Sequence, residues 1–188
     1  MIYQHEKGGL YRVLGQAKHS ETLEPMVVYQ DIQGDCQIWT RPKSEWEDGR
    51  FTTFDAKPVI DKVALVYIRD KKLLTTRSQG KDFYYFPGGK RDKGESDVEC
   101  LTRELAEEMG VELRPESIAH YATVIAHAHG NPLGVLAKLT CYTGVIEREP
   151  APGGEIAEIR WLGYADRANV GCSMKIVMDE LYHKGMID

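Results

Sequence analysis

Apolar residues along this chain fall into two unlike patterns that meet near residue 55. Up to Phe54 they form short runs rich in β-branched and aromatic residues: Leu10 to Leu14 after Gly8 and Gly9, Met26 to Tyr29 after Pro25, and Ile38 and Trp39 before Pro42. Turn-forming residues separate these runs, which predicts a curled sheet or small barrel. Asp48 and Gly49, and the stretch from Asp55 to Pro58, read as turns around the junction. Beyond Val59 the runs lengthen. Val63 to Ile68 is nearly continuously apolar, Arg69 to Lys72 reads as a charged turn, and Leu73 and Leu74 lie in the next strand. Phe83 to Phe86 reads as an aromatic strand ending at Pro87, Gly88 and Gly89. From residue 95 to 109 the period changes, with Val98, Leu101, Leu105 and Met109 recurring at three and four residues as on one face of a helix. Strand patterns return at His120 to Ala126, Val135 to Tyr142 and Ile159 to Leu162, and a last helix begins near Ser173 and stops before Gly185. The expected organisation is a small all-β domain, residues 1–54, followed by an α/β domain, residues 55–188, with a mixed sheet and helices on its faces.

The first of these helices carries the chemistry. Glu104 lies three residues before Glu107 and four before Glu108, so the three carboxylates share one flank beside the apolar stripe. Like charges at that spacing repel, and a hard divalent cation removes the conflict. Glu95 is nine residues before Glu104, about 13.5 Å along the axis, and is expected to brace the loop or reach a metal through water. A solvated acidic face, with Glu99–Arg103 and Arg103–Glu107 ion pairs, explains the glutamates alone equally well. Gly88 and Gly89 tip the balance, because they permit a close backbone approach to a ligand and a carbonyl there adds another hard oxygen.

Composition narrows the setting. The net charge of −5 argues against a general nucleic-acid binder, which needs many Lys and Arg contacts to phosphate. A nucleotide substrate stays open, since metal ions turn a carboxylate-rich pocket into a phosphate site. The chain has no apolar run long enough to span a membrane, and its first residues lack a secretory stretch, so cytoplasm is the default expectation. Cys36, Cys100, Cys141 and Cys172 are spaced too widely for a metal knuckle and are expected to be free, mostly buried thiols.

The segment Gly89, Glu95, Arg103, Glu104, Leu105, Glu107, Glu108, Gly110 and Val111 resembles the Nudix box, with nine defining residues in place across 23 positions. Phe86 to Lys90 and Gly94 are also similar to the family's lead-in. The resemblance implies an α/β/α sandwich and hydrolysis of a nucleoside diphosphate linked to another moiety. It implies Mg²⁺, or Mn²⁺, held by Glu104, Glu107 and Glu108 with the Gly88 carbonyl, and Arg103 orienting the carboxylates. Family members often draw a base from a distant loop; Glu155 stands at a suitable distance before Trp161, with Glu158 as the alternative. Arg77, Lys81, Lys90 and Arg91 are candidates for neutralising phosphates, and Tyr84 or Phe83 for stacking a base. His127 is a candidate substrate contact; with His129 it also has the alternate spacing of a metal pair, though Gly130 to Pro132 place both at a turn.

Subclasses acting on ADP-ribose or diadenosine polyphosphates tend to carry a Pro or Tyr where Ala126, His127 and Ala128 stand here. A nucleoside triphosphate, oxidised or otherwise non-standard, is therefore the leading substrate class, with ADP-ribose or another nucleotide sugar as an alternative. Residues 3 to about 46 resemble a small bacterial domain of unassigned function, through Lys7 to Gly9, Tyr11, His19 to Pro25, Val28, Tyr29, Trp39, Arg41 and Pro42. Covering a face of the hydrolase, a ligand or RNA contact and a homodimer contact are its open uses. A nucleotide sensor that binds without turnover is the competing function for the whole chain.

Overall fold

The computed structural model describes residues 1–55 and 58–188; part of the turn expected from Asp55 to Pro58 lies outside the described residues. The amino-terminal unit contains β1 (Ile2–His5), β2 (Leu10–Lys18), β3 (Pro25–Asp31), β4 (Ile38–Pro42), the single turn α1 (Lys43–Trp46) and β5 (Phe51–Thr53). The strands form one antiparallel sheet in the order β4-β3-β2-β1-β5. Val27 and Tyr29 lie two apart on β3 and so share a face, where they bury against Trp46 and Phe51. Trp46 and Phe51 stack at 4.0 Å between ring centroids.

The second unit comprises β6 (Ile60–Leu65), β7 (Ile68–Arg69), β8 (Lys72–Ser78), α2 (Asp97–Met109), β9 (Ala119–His127), β10 (Leu136–Thr143), β11 (Ile156–Leu162) and α3 (Cys172–His183). One three-stranded sheet runs β6-β10-β9 and another β11-β8-β7. The β6–β10 pair is parallel and β9–β10 antiparallel, so the sheet is mixed. Period-two alternation builds the sandwich. Val63 and Leu65 turn to a core shared with Leu101, Leu105 and Met109 of α2, whereas Ala64 and Val66 turn to a core shared with Met174, Val177 and Leu181 of α3. Leu74 and Leu73 of β8 divide between the same two cores. The β7–β8 hairpin turns through Asp70 and Lys71, at φ 50° and 58°, the two positive values a type I′ turn requires.

Two expectations need correction, and three short elements were not anticipated. Phe83 to Phe86 makes only isolated bridges, Thr76 with Tyr85 and Tyr84 with Val170, instead of a strand; Tyr84 and Phe86 are buried by tertiary packing. The short strands β1 and β5 and the turn α1 carry too little period to show in the sequence. Cys36 and Cys172 are joined as a disulfide, while Cys100 and Cys141 are free and buried as expected. The pair is 136 residues apart, so only docking of the two units brings it together. Leu10, Ile32 and Cys36 of the small unit are buried in the same core as α3. Among the described residues no helix is long and apolar enough to cross a membrane.

Candidate active site

The helix that carries the glutamates is fixed at its start by a reciprocal cap. Ser96 Oγ accepts the Glu99 N–H and Glu99 Oε2 accepts the Ser96 N–H, at 3.3 and 2.8 Å, an arrangement worth about 1 kcal/mol. Glu99 is thereby taken from the Arg103 pairing that helical spacing suggests. Arg103 instead donates to both oxygens of Glu95 at 2.8 Å, to Glu104 at 3.0 Å, to Glu107 at 3.4 Å and to the Lys90 carbonyl at 3.1 Å. One planar guanidinium thus ties the loop to the helix. These bonds, with the Asp92 N–H, hold the Glu95 carboxyl down to about 2.

The loop before the helix is shaped by close approach. Gly88 adopts φ 132°, and a Cβ there would overlap the Val63 carbonyl; a Cβ on Gly89 would overlap the Glu104 carboxyl. Only glycine fits either place. The Gly88 N–H donates to Glu108 Oε2 at 2.9 Å, while the Pro87 and Gly89 carbonyls accept from Leu65 and Val63 of β6. Glu108 is 9% exposed, and burial pushes its carboxyl up to about 7, with Glu104 and Glu155 adding to the rise against the Gly88 bond and Lys62.

These groups open onto a cleft of about 930 Å³, a size suited to a nucleotide-sized ligand. Glu104, Glu107, Glu108, Glu155, Gly88, Lys90 and His127 all line it. Glu155 is held beside the glutamate helix because Gly153 donates to the Glu108 carbonyl at 2.8 Å and the Glu155 carbonyl accepts the Gln79 N–H at 3.0 Å. Its carboxylate accepts from Ser78 Oγ at 3.2 Å. Glu158 lies elsewhere, accepting from Arg77 at 2.8 Å and from the Tyr84 hydroxyl at 2.9 Å, which hold its carboxyl below the usual range. Arg77 and Tyr84, expected at the substrate, are spent on Glu158 outside the cleft. Arg91 is likewise engaged, by Asp61 and Asp97 at 2.6 and 2.7 Å.

Sequence reading missed Lys62, Lys138, Tyr85 and Asn131, which also line the cleft. Lys62 and Lys138 are polar positions in strands β6 and β10, a legible signal, but alternation does not say which face meets the cleft. The Phe83–Tyr85 stretch sorts by contact: Tyr84 is buried, Phe83 packs tilted against His129 with ring centroids 3.9 Å apart, and the Tyr85 hydroxyl lies 3.0 Å from His129 Nδ1. His127 and His129 share the cleft wall, and His127 Nδ1 is buried with no hydrogen-bond partner among the described residues.

Among the described residues no three His, Cys, Asp or Glu side chains are grouped as a ready ligand cage for a metal; Arg103 draws Glu104 and Glu107 toward itself. The donor set nevertheless suits a hard divalent cation, being all oxygen, and Glu108 is a buried carboxyl whose ionisation is opposed by burial and by Glu104 and Glu155 beyond what Lys62 offsets.

Comparison with known proteins identifies the family and the fold. The NUDIX domain profile matches residues 60–171, and that of DUF1653, a protein family of unknown function, matches residues 1–51. The fold is similar to that of a NUDIX hydrolase from Nitrosomonas europaea, at 21% identity and TM-score 0.55 over 70% of this chain and 92% of that one. It is similar to the MutT protein from Methanosarcina mazei Go1, at 19% identity and TM-score 0.54 over 71% and 99% of the two chains. A UDP-X diphosphatase matches at 19% identity and TM-score 0.53 over 76% of this chain and 70% of its own. No curated protein matches the sequence. With the profile covering more than half of its length, the chain belongs to the Nudix family of hydrolases, which use a divalent metal to cleave phosphoanhydride bonds in nucleotide substrates.

Proposed function

We propose that the chain is a Mg²⁺-dependent pyrophosphohydrolase acting on a nucleoside triphosphate, standard or chemically altered, with Mn²⁺ able to replace Mg²⁺. The observation that carries this reading is one cleft lined by Glu104, Glu107, Glu108 and Glu155 together with Lys62, Lys81 and Lys90. Carboxylates without cations repel a polyphosphate; carboxylates that hold a divalent ion, flanked by lysines, attract one.

Glu104, Glu107 and Glu108, with the Gly88 carbonyl, are the residues that would hold the cation. When bound, the cation polarises phosphoryl oxygens and lowers the pKa of water. Arg103 keeps Glu104 and Glu107 on the cleft side of the helix, and Glu95 holds Arg103 in place. Glu155 accepts the proton of the attacking water. It suits that role better than Glu158, which lies outside the cleft with its Oε2 accepting from Arg77 and Tyr84. The lysines bind the phosphate chain, and the wall of Tyr85, His127 and His129 faces the rest of the nucleotide.

Release of phosphate or pyrophosphate from nucleoside triphosphates, dinucleotides and nucleotide sugars, with and without Mg²⁺, tests the reading. Fastest turnover of a triphosphate is expected, and preference for a nucleotide sugar would reassign the substrate. Tight nucleotide binding without turnover of any compound would favour the sensor instead.

A further inference from the structure

We propose that the small domain serves the hydrolase by positioning the α3-side wall of the substrate cleft, so that the loop after β3 is a specificity-supporting part of the enzyme. The inference rests on reading the cleft as the nucleotide site. Three attachments converge on that wall from five consecutive residues of the small domain, 32–36. The Ile32 carbonyl accepts the His127 N–H at 2.7 Å. Asp35 accepts from Arg167 at 2.9 Å and from Lys175 at 3.3 Å, with its backbone carbonyl accepting from Arg167 at 2.7 Å. Cys36 is bonded to Cys172.

Each recipient belongs to the cleft or adjoins it. His127 and Cys172 line it, Met174 follows on the same helix, and Lys175 is the next residue. Arg167 is itself fixed by Asp179 of α3 at 2.8 Å, so the Asp35 contact reaches the helix along two routes. Ile32 and Cys36 are fully buried in the α3 core, which makes the contact part of the packing rather than a surface touch. The two wall segments also meet each other: a Cβ on Gly171 would lie 3.3 Å from His129 Cβ. A shift of the loop after β3 is therefore passed to both segments together, while the glutamates on the opposite face of the sheet are held by their own network through Arg103. Ligand affinity depends on the wall, and chemistry on the glutamates.

The test uses the full chain carrying Asp35→Ala. Asp35 has a side chain 64% exposed, so its removal leaves no cavity. Amide exchange at His127 and at residues 171–174 is expected to accelerate while that of α2 stays as in the parent. With ATP, GTP, CTP and UTP as probes in Mg²⁺, KM is expected to rise about tenfold at unchanged kcat, and Asp35→Glu to restore both readouts. Cys36→Ala, a second variant acting through a different attachment, is expected to move the same amides. Unchanged exchange at His127 in both variants, or a fall in kcat with KM unchanged, overturns the proposal. If no triphosphate is turned over by the parent chain, that result falls on the substrate reading, and the exchange at His127 alone decides whether the small domain positions the wall.

Discussion

Replacing Glu108 with Gln separates the stability cost of the site from its chemistry. In the folded chain without metal, burial raises the Glu108 carboxyl from an ordinary 4.5 to about 7. As pH rises through that window the unfolded chain releases the proton while the folded chain retains it, so the unfolded state binds fewer protons and stability falls with pH. Above about 7 both states are ionised and the penalty levels off at roughly 3 kcal/mol. Gln carries no charge, and its amide oxygen can still accept the Gly88 N–H. Glu108→Gln is therefore expected to melt higher than the parent at pH 8 in chelator, by up to about 10 °C for a chain of this size, and to match it near pH 4.5. Thermal unfolding followed by circular dichroism from pH 4.5 to 8 measures the difference. Adding Mg²⁺ is expected to stabilise the parent more than the variant, which gains stability by losing its function. Equal melting at every pH, or a variant that melts lower at pH 8, would refute the reasoning.

Glu155→Gln is expected to lower kcat by about 10²- to 10⁴-fold at unchanged melting temperature, whereas Glu158→Gln, which breaks a partly exposed pair with Arg77, is expected to keep kcat within a few-fold with little change in melting temperature; steady-state kinetics beside a melting curve distinguishes them. Gly89→Ala, whose Cβ would displace the Glu104 carboxyl, is expected to weaken the metal requirement's affinity and cut kcat by more than tenfold, read from a Mg²⁺ titration of turnover. Ser96→Ala removes half of the cap on the glutamate helix and is expected to lower stability by about 1 kcal/mol with turnover retained, as measured by urea unfolding.

The sandwich and its acidic helix were legible because both rest on local period: the 3.6-residue stripe of Leu101, Leu105 and Met109, and the two-residue alternation that splits Val63 and Leu65 from Ala64 and Val66. The Gly88–Gly89 loop was legible for its freedom of backbone, and the structure adds the reason, since a side chain at either position has no room. Partners chosen across the fold were not legible. Arg77 and Tyr84 looked available to a substrate because nothing local announces Glu158, 81 and 74 residues away. Glu99 looked like a partner for Arg103, yet the nearer orphan N–H groups at the helix start claim it. The Cys36–Cys172 link and the Ile32–His127 bond depend on docking two units whose separate patterns carry no trace of each other. The division expected at residues 1–54 and 55–188 separates the five-stranded sheet from the two sheets of the sandwich, yet Leu10 and Ile32 of the first part are buried with α3 of the second.

The most direct test of the central claim is turnover of a nucleoside triphosphate against Mg²⁺ concentration, in the parent and in Glu107→Gln. Glu107 has a side chain 62% exposed, so the substitution leaves packing intact. A metal-dependent hydrolase shows no turnover in chelator, saturable recovery with added Mg²⁺, and a loss of about 10²- to 10³-fold in kcat/KM for the variant at unchanged melting temperature. Turnover that persists in chelator, or a Glu107→Gln chain as active as the parent, would contradict that claim.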